Sequence, residues 1–210
     1  MHLRSSVLFA FILAGLTGPE QSRAEPVVLR GGGLDESPHA YRRLPDVLAA
    51  QGGTIEVLAR GGGIANPVVV NDNKAQIAMS NVATSKWAWD GEPELYKGRK
   101  HQDIRSLVGG INSVWIVAML REDYIQRTGN DTVEKALADK NLRIIMKPAG
   151  SSVPPVARMV MESLGTSLDQ FRSGGRLIQV DAAQTTSMLR EGRADLYFET
   201  ATKGHPAVTE

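Results

Sequence analysis

The stretch from Leu142 to Gly165, LRIIMKPAGSSVPPVARMVMESLG, predicts a strand, a loop and a helix in succession. Its β-branched run, Arg143–Met146, is typical of a strand and stops at Lys147–Ser152, where turn-forming residues replace apolar ones. Apolar residues then recur at helical spacing, two prolines suit the first turn, and Gly165 suits the C-terminal cap. A strand that feeds a helix through such a loop leaves unpaired backbone N–H groups at the positive end of the helix, where anions bind. The stretch therefore indicates a binding loop, and an ordinary turn with a serine cap is the alternative.

The composition excludes several classes of protein. The 210 residues are 42% hydrophobic and 22% charged, which is typical of a soluble globular chain with one large or two small domains. Because 24 Lys and Arg face 23 Asp and Glu, no net basic field attracts nucleic acid, and a nucleic-acid partner is disfavoured. Without cysteine, the chain has no disulfide, thiolate metal site or cysteine nucleophile. No cofactor is predicted.

The N-terminus has the pattern of a secretory signal. His2 and Arg4 precede an apolar run from Val7 to Leu16, and Ser22–Ala24 supplies small residues at the positions that a signal peptidase recognises. A membrane-spanning helix needs about 20 apolar residues, and this run is much shorter. We therefore expect a signal peptide over residues 1–24, a mature chain that begins near Glu25, and a periplasmic location.

Small or polar residues follow each of the first three predicted strands. In a parallel sheet these strand ends line the ligand crevice. A single glycine-rich turn would be weak evidence, because glycine is the default residue wherever φ is positive. Two of the three strands end at three consecutive glycines. Neither glycine triplet continues into a Walker loop or a dinucleotide fingerprint, so nucleotide binding is disfavoured. The strands and the residues that follow them are Pro26–Arg30 with Gly31–Gly33, Thr54–Arg60 with Gly61–Gly63, and Gln76–Ser80 with Asn81.

The remaining elements continue an alternation of strands and helices, which predicts an α/β protein with largely parallel pairing. Trp87–His101 is interpreted as a surface excursion whose tryptophans are expected to pack on the lobe, with plugging of the crevice rim as the alternative. Val114–Met119 is interpreted as a strand that passes from one lobe to the other. This places lobe one at residues 25–119 and lobe two at residues 120–210. The other predicted elements are a helix at Ala40–Gln51, a strand at Ser106–Gly110, a helix capped by Thr132, a strand at Leu177–Val180, a helix at Gln184–Arg190 and a last strand at Leu196–Phe198.

Several of these segments match, in order, the motifs of a known family. They are Gly32-Gly33 through Tyr41, Gly61-Gly62 with Asn66, Ala75–Ala78, Asp139–Ser152, Arg190–Leu196, and Gly204-His205-Pro206. Together they resemble the TAXI-type solute receptors of TRAP transporters, which are periplasmic binding proteins of the two-lobed type II class. The resemblance runs from about Val27 to Glu210, with departures at Gln76, Asn81 and Ser152 that concern the ligand more than the class. Members of that family extend further than this sequence does. The resemblance therefore implies a two-lobed fold in which the C-terminal return to lobe one is missing here, as expected of a fragment.

The resemblance implies a monomeric receptor that captures a small carboxylated solute, an amino acid or a dicarboxylate, between two lobes and delivers it to TRAP-type permease subunits. Arg30 or Arg60 could add a bidentate grip on a carboxylate or could be solvated charges. A sensor input domain of the same fold is an alternative. An enzyme is less favoured, since Ser151 lacks a nucleophile elbow and His39 has no motif partner. The predicted ligand-binding residues are Gly32, Gly33, Tyr41, Gly61, Gly62, Asn66, Asn81, Gly150, Ser151, Ser152, Gln184 and Glu199.

The signal peptide can be tested directly. When the chain is expressed with its own N-terminus in a Gram-negative host, N-terminal sequencing of the periplasmic fraction should begin near Glu25, because the small residues before it are a cleavage site. A chain lacking the apolar run should stay in the cytoplasm. An intact Met1 in the membrane fraction would contradict the prediction.

Overall fold

The computed structural model describes residues 27–30, 46, 47, 50, 55–58, 61–110 and 113–204. The predicted signal peptide and most of the predicted helix Ala40–Gln51 lie outside these residues.

The first sheet has three parallel strands in the order β2-β1-β3. Because the strands are parallel, their carboxyl ends lie at one edge, and the chain leaves β2 and β3 toward Gly61 and Asn81 at that edge. Its strands are β1 (Val27–Arg30), β2 (Ile55–Leu58) and β3 (Ile77–Ala78), and the helices that follow in this half are α1 (Ala65–Asn71), α2 (Val82–Asp90) and α3 (Pro93–Tyr96).

The second sheet has four strands in the order β4-β7-β5-β6. Strand β5 is parallel to both of its neighbours, whereas β4 is antiparallel to β7. The strands are β4 (Trp115–Leu120), β5 (Ile144–Met146), β6 (Leu177–Gln179) and β7 (Leu196–Ala201), and the helices are α4 (Glu122–Thr128), α5 (Val133–Leu137), α6 (Val153–Ser163), α7 (Leu168–Ser173) and α8 (Ala182–Arg190).

Strand β5 lies at the centre of a three-layered second half. All three of its side chains are fully buried, as expected of a parallel strand that is covered on both faces. Ile144 packs in one cluster with Met161 of α6. Ile145 points to the opposite face and packs in a second cluster with Met188 of α8. The alternation along a single strand therefore divides the helices between the two faces of the sheet.

Helix α6 begins and ends as its sequence predicts. Prolines stand in the first turn, where the missing N–H groups cost no intrahelical hydrogen bond. Gly165 follows the helix with a φ of 74°. The Thr166 N–H donates to the Met161 carbonyl at 2.9 Å, which closes the last turn. The predicted cap at Thr132 is also confirmed, since its hydroxyl accepts from the Lys135 N–H at 3.3 Å.

A buried carboxylate fixes the start of β7 against β5. Asp195 is 2% exposed, and its two oxygens accept from the Arg143 guanidinium at 2.7 and 2.8 Å. The Arg143 N–H also donates to this carboxylate at 3.1 Å, and Arg127 approaches it at 3.4 Å. Burial alone would raise the pKa of the Asp195 carboxyl, but the hydrogen bonds from Arg143 and the charges of Arg143 and Arg127 together outweigh burial and hold that pKa below its ordinary value. The bidentate pair therefore sets the register of the central strands.

Two stretches differ from their predicted structure. Trp87–Asp90, predicted as part of a surface excursion, forms the end of α2. Trp87 packs against a cluster that contains Ala88 and Tyr96, which agrees with the predicted packing of the tryptophans on the lobe. Ser106–Gly110, expected as a strand, contains no strand. Leu107 is 75% exposed, and this stretch pairs with no strand in the described part of the chain. The strand prediction failed because a short apolar run becomes a strand only where a neighbouring strand accepts its hydrogen bonds, and the two glycines weaken it further.

Replacing Asp195 tests its contribution to stability. Asp195→Ala should lower the free energy of unfolding at pH 7 by about 3 kcal/mol, because it leaves the Arg143 N–H and a half-buried guanidinium without their partner. The control is Asp169→Ala, which removes an exposed carboxylate that also pairs with two arginines. It should change stability little. Urea unfolding measures both variants, and equal midpoints would contradict the prediction.

The same pair predicts the direction of a pH dependence. Because the pKa of Asp195 is lowered in the folded chain, its stabilising contribution is complete above the ordinary carboxyl pKa of about 3.9 and is lost as the pH falls through the lowered value. The difference in stability between the wild-type chain and Asp195→Ala should therefore shrink on acidification below about pH 4.

Candidate functional site

The glycine loop, Gly61–Gly63, is held at the end of the first sheet by a buried amide. The side-chain oxygen of Asn66 accepts from the Gly62 N–H at 3.2 Å, and its nitrogen donates to the Met79 carbonyl at 2.7 Å. Asn66 is 2% exposed. Both ends of this amide are therefore engaged within the protein, and Asn66 positions the glycine loop against the residues that follow β3.

The glycine loop meets the serine loop, Lys147–Ser152, without a side chain between them. A β-carbon on Gly62 would lie 2.4 Å from the Gly150 carbonyl oxygen, much closer than any real contact of this kind. A β-carbon on Gly63 would lie 3.1 Å from the Ser152 β-carbon and 3.3 Å from the Asn81 side-chain nitrogen. The structure thus brings together predicted site residues from the carboxyl edges of both sheets.

Two serines in the serine loop have different roles. The Ser151 hydroxyl donates to the Pro148 carbonyl at 2.9 Å and accepts from the Val153 N–H at 3.3 Å, so it closes the turn into α6. Ser152 occupies the N-cap position of α6 but does not cap it. It is 7% exposed, and its hydroxyl makes no hydrogen bond to another described residue. Ser152 is therefore the hydroxyl that remains available to a ligand.

Asn81 has the corresponding position on the other side of Gly63. It stands at the N-cap of α2, and its half-buried side chain makes no capping hydrogen bond. The Asn81 carbonyl accepts from the Thr84 hydroxyl at 3.0 Å, which secures the start of the helix in place of a side-chain cap. The positive ends of α2 and α6 and two available side chains thus flank the same space beside Gly63, and this arrangement suits a small anionic group.

Glu199 lies beside the serine loop in the interior of the protein. It is 1% exposed, and Lys147 approaches one of its oxygens at 3.3 Å. The Tyr197 hydroxyl donates to the same oxygen, and the Thr200 N–H donates to the other at 2.7 Å. The carboxylate is thus neutralised and hydrogen-bonded by its own chain, so the geometry favours a positioning role for Glu199 at this end of β7.

The other predicted site residues are distributed more widely. Gln184 is exposed in the first turn of α8, where its N–H donates to the Asp181 carboxylate at 2.9 Å. Gly61 belongs to the glycine loop and has a φ of 142°. The predicted residues Gly32, Gly33 and Tyr41, together with Arg60 and His39, lie outside the described residues, and Arg30 is described in its backbone only.

Sequence reasoning missed Lys147 as a residue of this region. The sequence predicts Lys147 as the first residue of a turn, yet its side chain is 18% exposed and pairs with a buried carboxylate. The available signal was its position directly after a fully buried strand, where a lysine needs a buried partner.

Several observations on the described residues concern metal binding and catalysis. In the described residues, no group of three His, Asp or Glu side chains could hold a metal ion. The Ser151 hydroxyl hydrogen-bonds to backbone groups rather than to a base. Burial lowers the pKa of the described histidine, His101, which packs edge-on against Tyr96 with a ring-centroid distance of 5.4 Å. No described helix is long and apolar enough to cross a membrane.

Comparison with known proteins identifies a family and a fold. The sequence model of the NMT1-like family matches residues 46–210, and no curated protein matches the chain. A periplasmic thiamin binding protein is 11% identical with a TM-score of 0.51, over 83% of this chain and 61% of that chain. A periplasmic molybdate-binding protein of Azotobacter vinelandii is 16% identical with a TM-score of 0.45, over 83% of this chain and 71% of that chain. The chain thus spans 61% of the thiamin binding protein, and this likeness confirms the predicted α/β fold of the two-lobed type II class.

The close approach of the two loops can be tested with a matched pair of substitutions. Gly62→Ala places a β-carbon against the Gly150 backbone, so the loops should separate, with a loss of roughly 1–3 kcal/mol in stability. Gly150→Ala should be tolerated, because its β-carbon would meet no atom within 4 Å. Hydrogen exchange should be faster in both loops of Gly62→Ala alone, and identical exchange in the two variants would contradict this contact.

Proposed function

The chain belongs to the NMT1-like family, and from that premise and the site geometry we propose that it is a periplasmic solute receptor. It binds a small carboxylated solute, an amino acid or a dicarboxylate, between its two lobes. It then presents the solute to a TRAP-type membrane permease.

The observation that carries this proposal is the convergence of Asn81 and Ser152 beside Gly63. A β-carbon on Gly63 would lie 3.3 Å from the Asn81 nitrogen and 3.4 Å from the Ser152 hydroxyl. One donor follows a strand of the first sheet and the other follows a strand of the second. A ligand that accepts from both donors is bound more tightly when the two halves are close, so its binding favours closure.

A carboxylate is the ligand group that suits these donors. Asn81 and Ser152 can each donate a hydrogen bond, and both stand at the positive end of a helix. The buried carboxylate of Glu199 pairs with Lys147 of the serine loop, which reduces its repulsion of an anion. Gly63 lies between these two donors, and a β-carbon there would already be in tight contact with both side chains.

The lobes, the location and the partner form part of the same proposal. Residues 25–119 make lobe one and residues 120–210 make lobe two, with β4 as the strand that passes between them. The signal peptide over residues 1–24 directs the chain to the periplasm. The resemblance to TAXI-type receptors supports a TRAP-type permease as the partner. Solute uptake by a strain that lacks the gene would separate this receptor from a sensor input domain.

The two serines provide a matched test of the proposed site. Ser152→Ala should weaken binding of succinate or glutamate roughly ten- to a hundredfold, because a hydrogen bond to a charged group contributes about 1.5–3 kcal/mol. Ser151→Ala should lower stability and leave affinity largely unchanged, since its hydroxyl closes the turn. Titration calorimetry measures both variants.

The outcome for Ser152→Ala decides the proposal. An affinity equal to that of the wild-type chain, in a variant with an unchanged melting temperature, would mean that the serine loop is only a turn. Equal losses in both variants would mean that loop shape, rather than the Ser152 hydroxyl, determines binding.

A further inference from the structure

Tyr96, the last residue of α3, is a buried side chain that contacts both segments of the first half of the candidate site. It is 7% exposed, and its hydroxyl donates to the Ile64 carbonyl at 3.0 Å and to the Thr84 carbonyl at 3.3 Å. We propose that Tyr96 is a positioning residue that couples the glycine loop to the start of α2 and so holds Asn81 beside Gly63. The inference rests on the proposed function, because it assigns a supporting residue to the same site.

The two carbonyls belong to the two segments that carry the site. Ile64 directly follows Gly63 of the glycine loop. Thr84 is fully buried in the first turn of α2, and its hydroxyl donates to the Asn81 carbonyl at 3.0 Å. A continuous path of hydrogen bonds therefore joins Tyr96 through Thr84 to Asn81.

The hydroxyl of Tyr96 has one hydrogen for two carbonyls, so the contact depends on how well the ring is fixed. The ring packs in one cluster with Ile64 and Ala88. His101 packs edge-on against it. Burial raises the pKa of Tyr96 to about 12, so the hydroxyl stays protonated and remains a donor at neutral pH. The ring is thus held by the same two segments that its hydroxyl bridges.

The chain after α2 folds back and fixes Tyr96 relative to that helix. A β-carbon on Gly91 would lie 2.8 Å from the Gly98 carbonyl oxygen, so the two turns that flank α3 are in close contact. The His101 N–H donates to the Ala88 carbonyl at 2.9 Å, which attaches the far end of this segment to α2. Backbone contacts therefore set the position of Tyr96, and its hydroxyl adds the link to the glycine loop.

Tyr96→Phe removes the hydroxyl and keeps the ring. It should weaken binding of succinate or glutamate roughly three- to tenfold, because the ligand must then order an Asn81 that the chain no longer holds. The matched control is Tyr124→Phe, since Tyr124 is a buried tyrosine of the second half whose hydroxyl donates to Asp139 at 3.0 Å. That variant should lower stability and leave affinity unchanged. Titration calorimetry measures both variants.

A double-mutant cycle separates positioning from a general loss of stability. If Tyr96 acts through Asn81, Tyr96→Phe should cause no further loss of affinity in an Asn81→Ala chain. It should keep its full effect in a Ser152→Ala chain, because Ser152 belongs to the other loop. A loss of the same size in both backgrounds would overturn the positioning role.

Hydrogen exchange tests the coupling without a ligand. The Asn66 N–H donates to the Gly62 carbonyl at 2.9 Å and reports on the glycine loop. The Ser85 N–H donates to the Asn81 carbonyl at 3.0 Å and reports on the start of α2. Both amides should exchange faster in Tyr96→Phe than in the wild-type chain, and neither should change in the Tyr124→Phe control.

The outcomes distinguish this inference from the proposed function. Unchanged affinity in Tyr96→Phe, with a loss in Ser152→Ala, would overturn the positioning role and leave the receptor proposal standing. If neither succinate nor glutamate binds the wild-type chain, the receptor proposal falls, and exchange of the two amides decides the coupling. Faster exchange in Tyr96→Phe alone would then uphold the coupling, and unchanged exchange would overturn it.

Discussion

The backbone approaches itself so closely at Gly62 and Gly150 that no side chain fits between the two loops, and the candidate site depends on this approach. Glycine is required here for space rather than for backbone freedom. The buried Asn66 amide holds one loop and the Ser151 hydroxyl shapes the other. Once both loops are fixed, Asn81 and Ser152 stand together beside Gly63.

The polar side chains of the candidate site fall into two groups, which differ in their hydrogen bonds. Polar side chains that bond to their own chain, such as Asn66 and Glu199, hold the geometry. The side chains of Ser152 and Asn81 do not cap their helices and bond to no other described residue, so they are the candidates for hydrogen bonds to a ligand. The predicted set of ligand-binding residues contained both kinds, because a sequence shows that a residue is polar but does not show what already satisfies it.

Features that depend on neighbouring residues could be predicted from the sequence, whereas features that depend on contacts between distant segments could not. The prolines and Gly165 around α6 and the cap at Thr132 depend on neighbours a few residues away, and those predictions are confirmed. Lys147 pairs with Glu199 on a strand that is distant in sequence, so no short window of the sequence reveals this partner. The antiparallel pairing of β4 with β7 also joins segments that are distant in sequence. The prediction of largely parallel pairing did not specify this pair. The prediction of a strand at Ser106–Gly110 failed for the opposite reason. The segment has a strand-like composition but pairs with no strand in the described part of the chain.

The position of β7 also determines when the second half of the chain can assemble. β7 is the last strand in the described sequence but lies between β4 and β5, so β4 has no partner in its sheet until β7 has been synthesised. At ordinary rates of translation β4 remains unpaired on the nascent chain for several seconds. Contacts between such distant segments also make folding slow. This strand order delays completion of the sheet until β7 has been synthesised, so the second half of the chain stays incompletely folded for that interval.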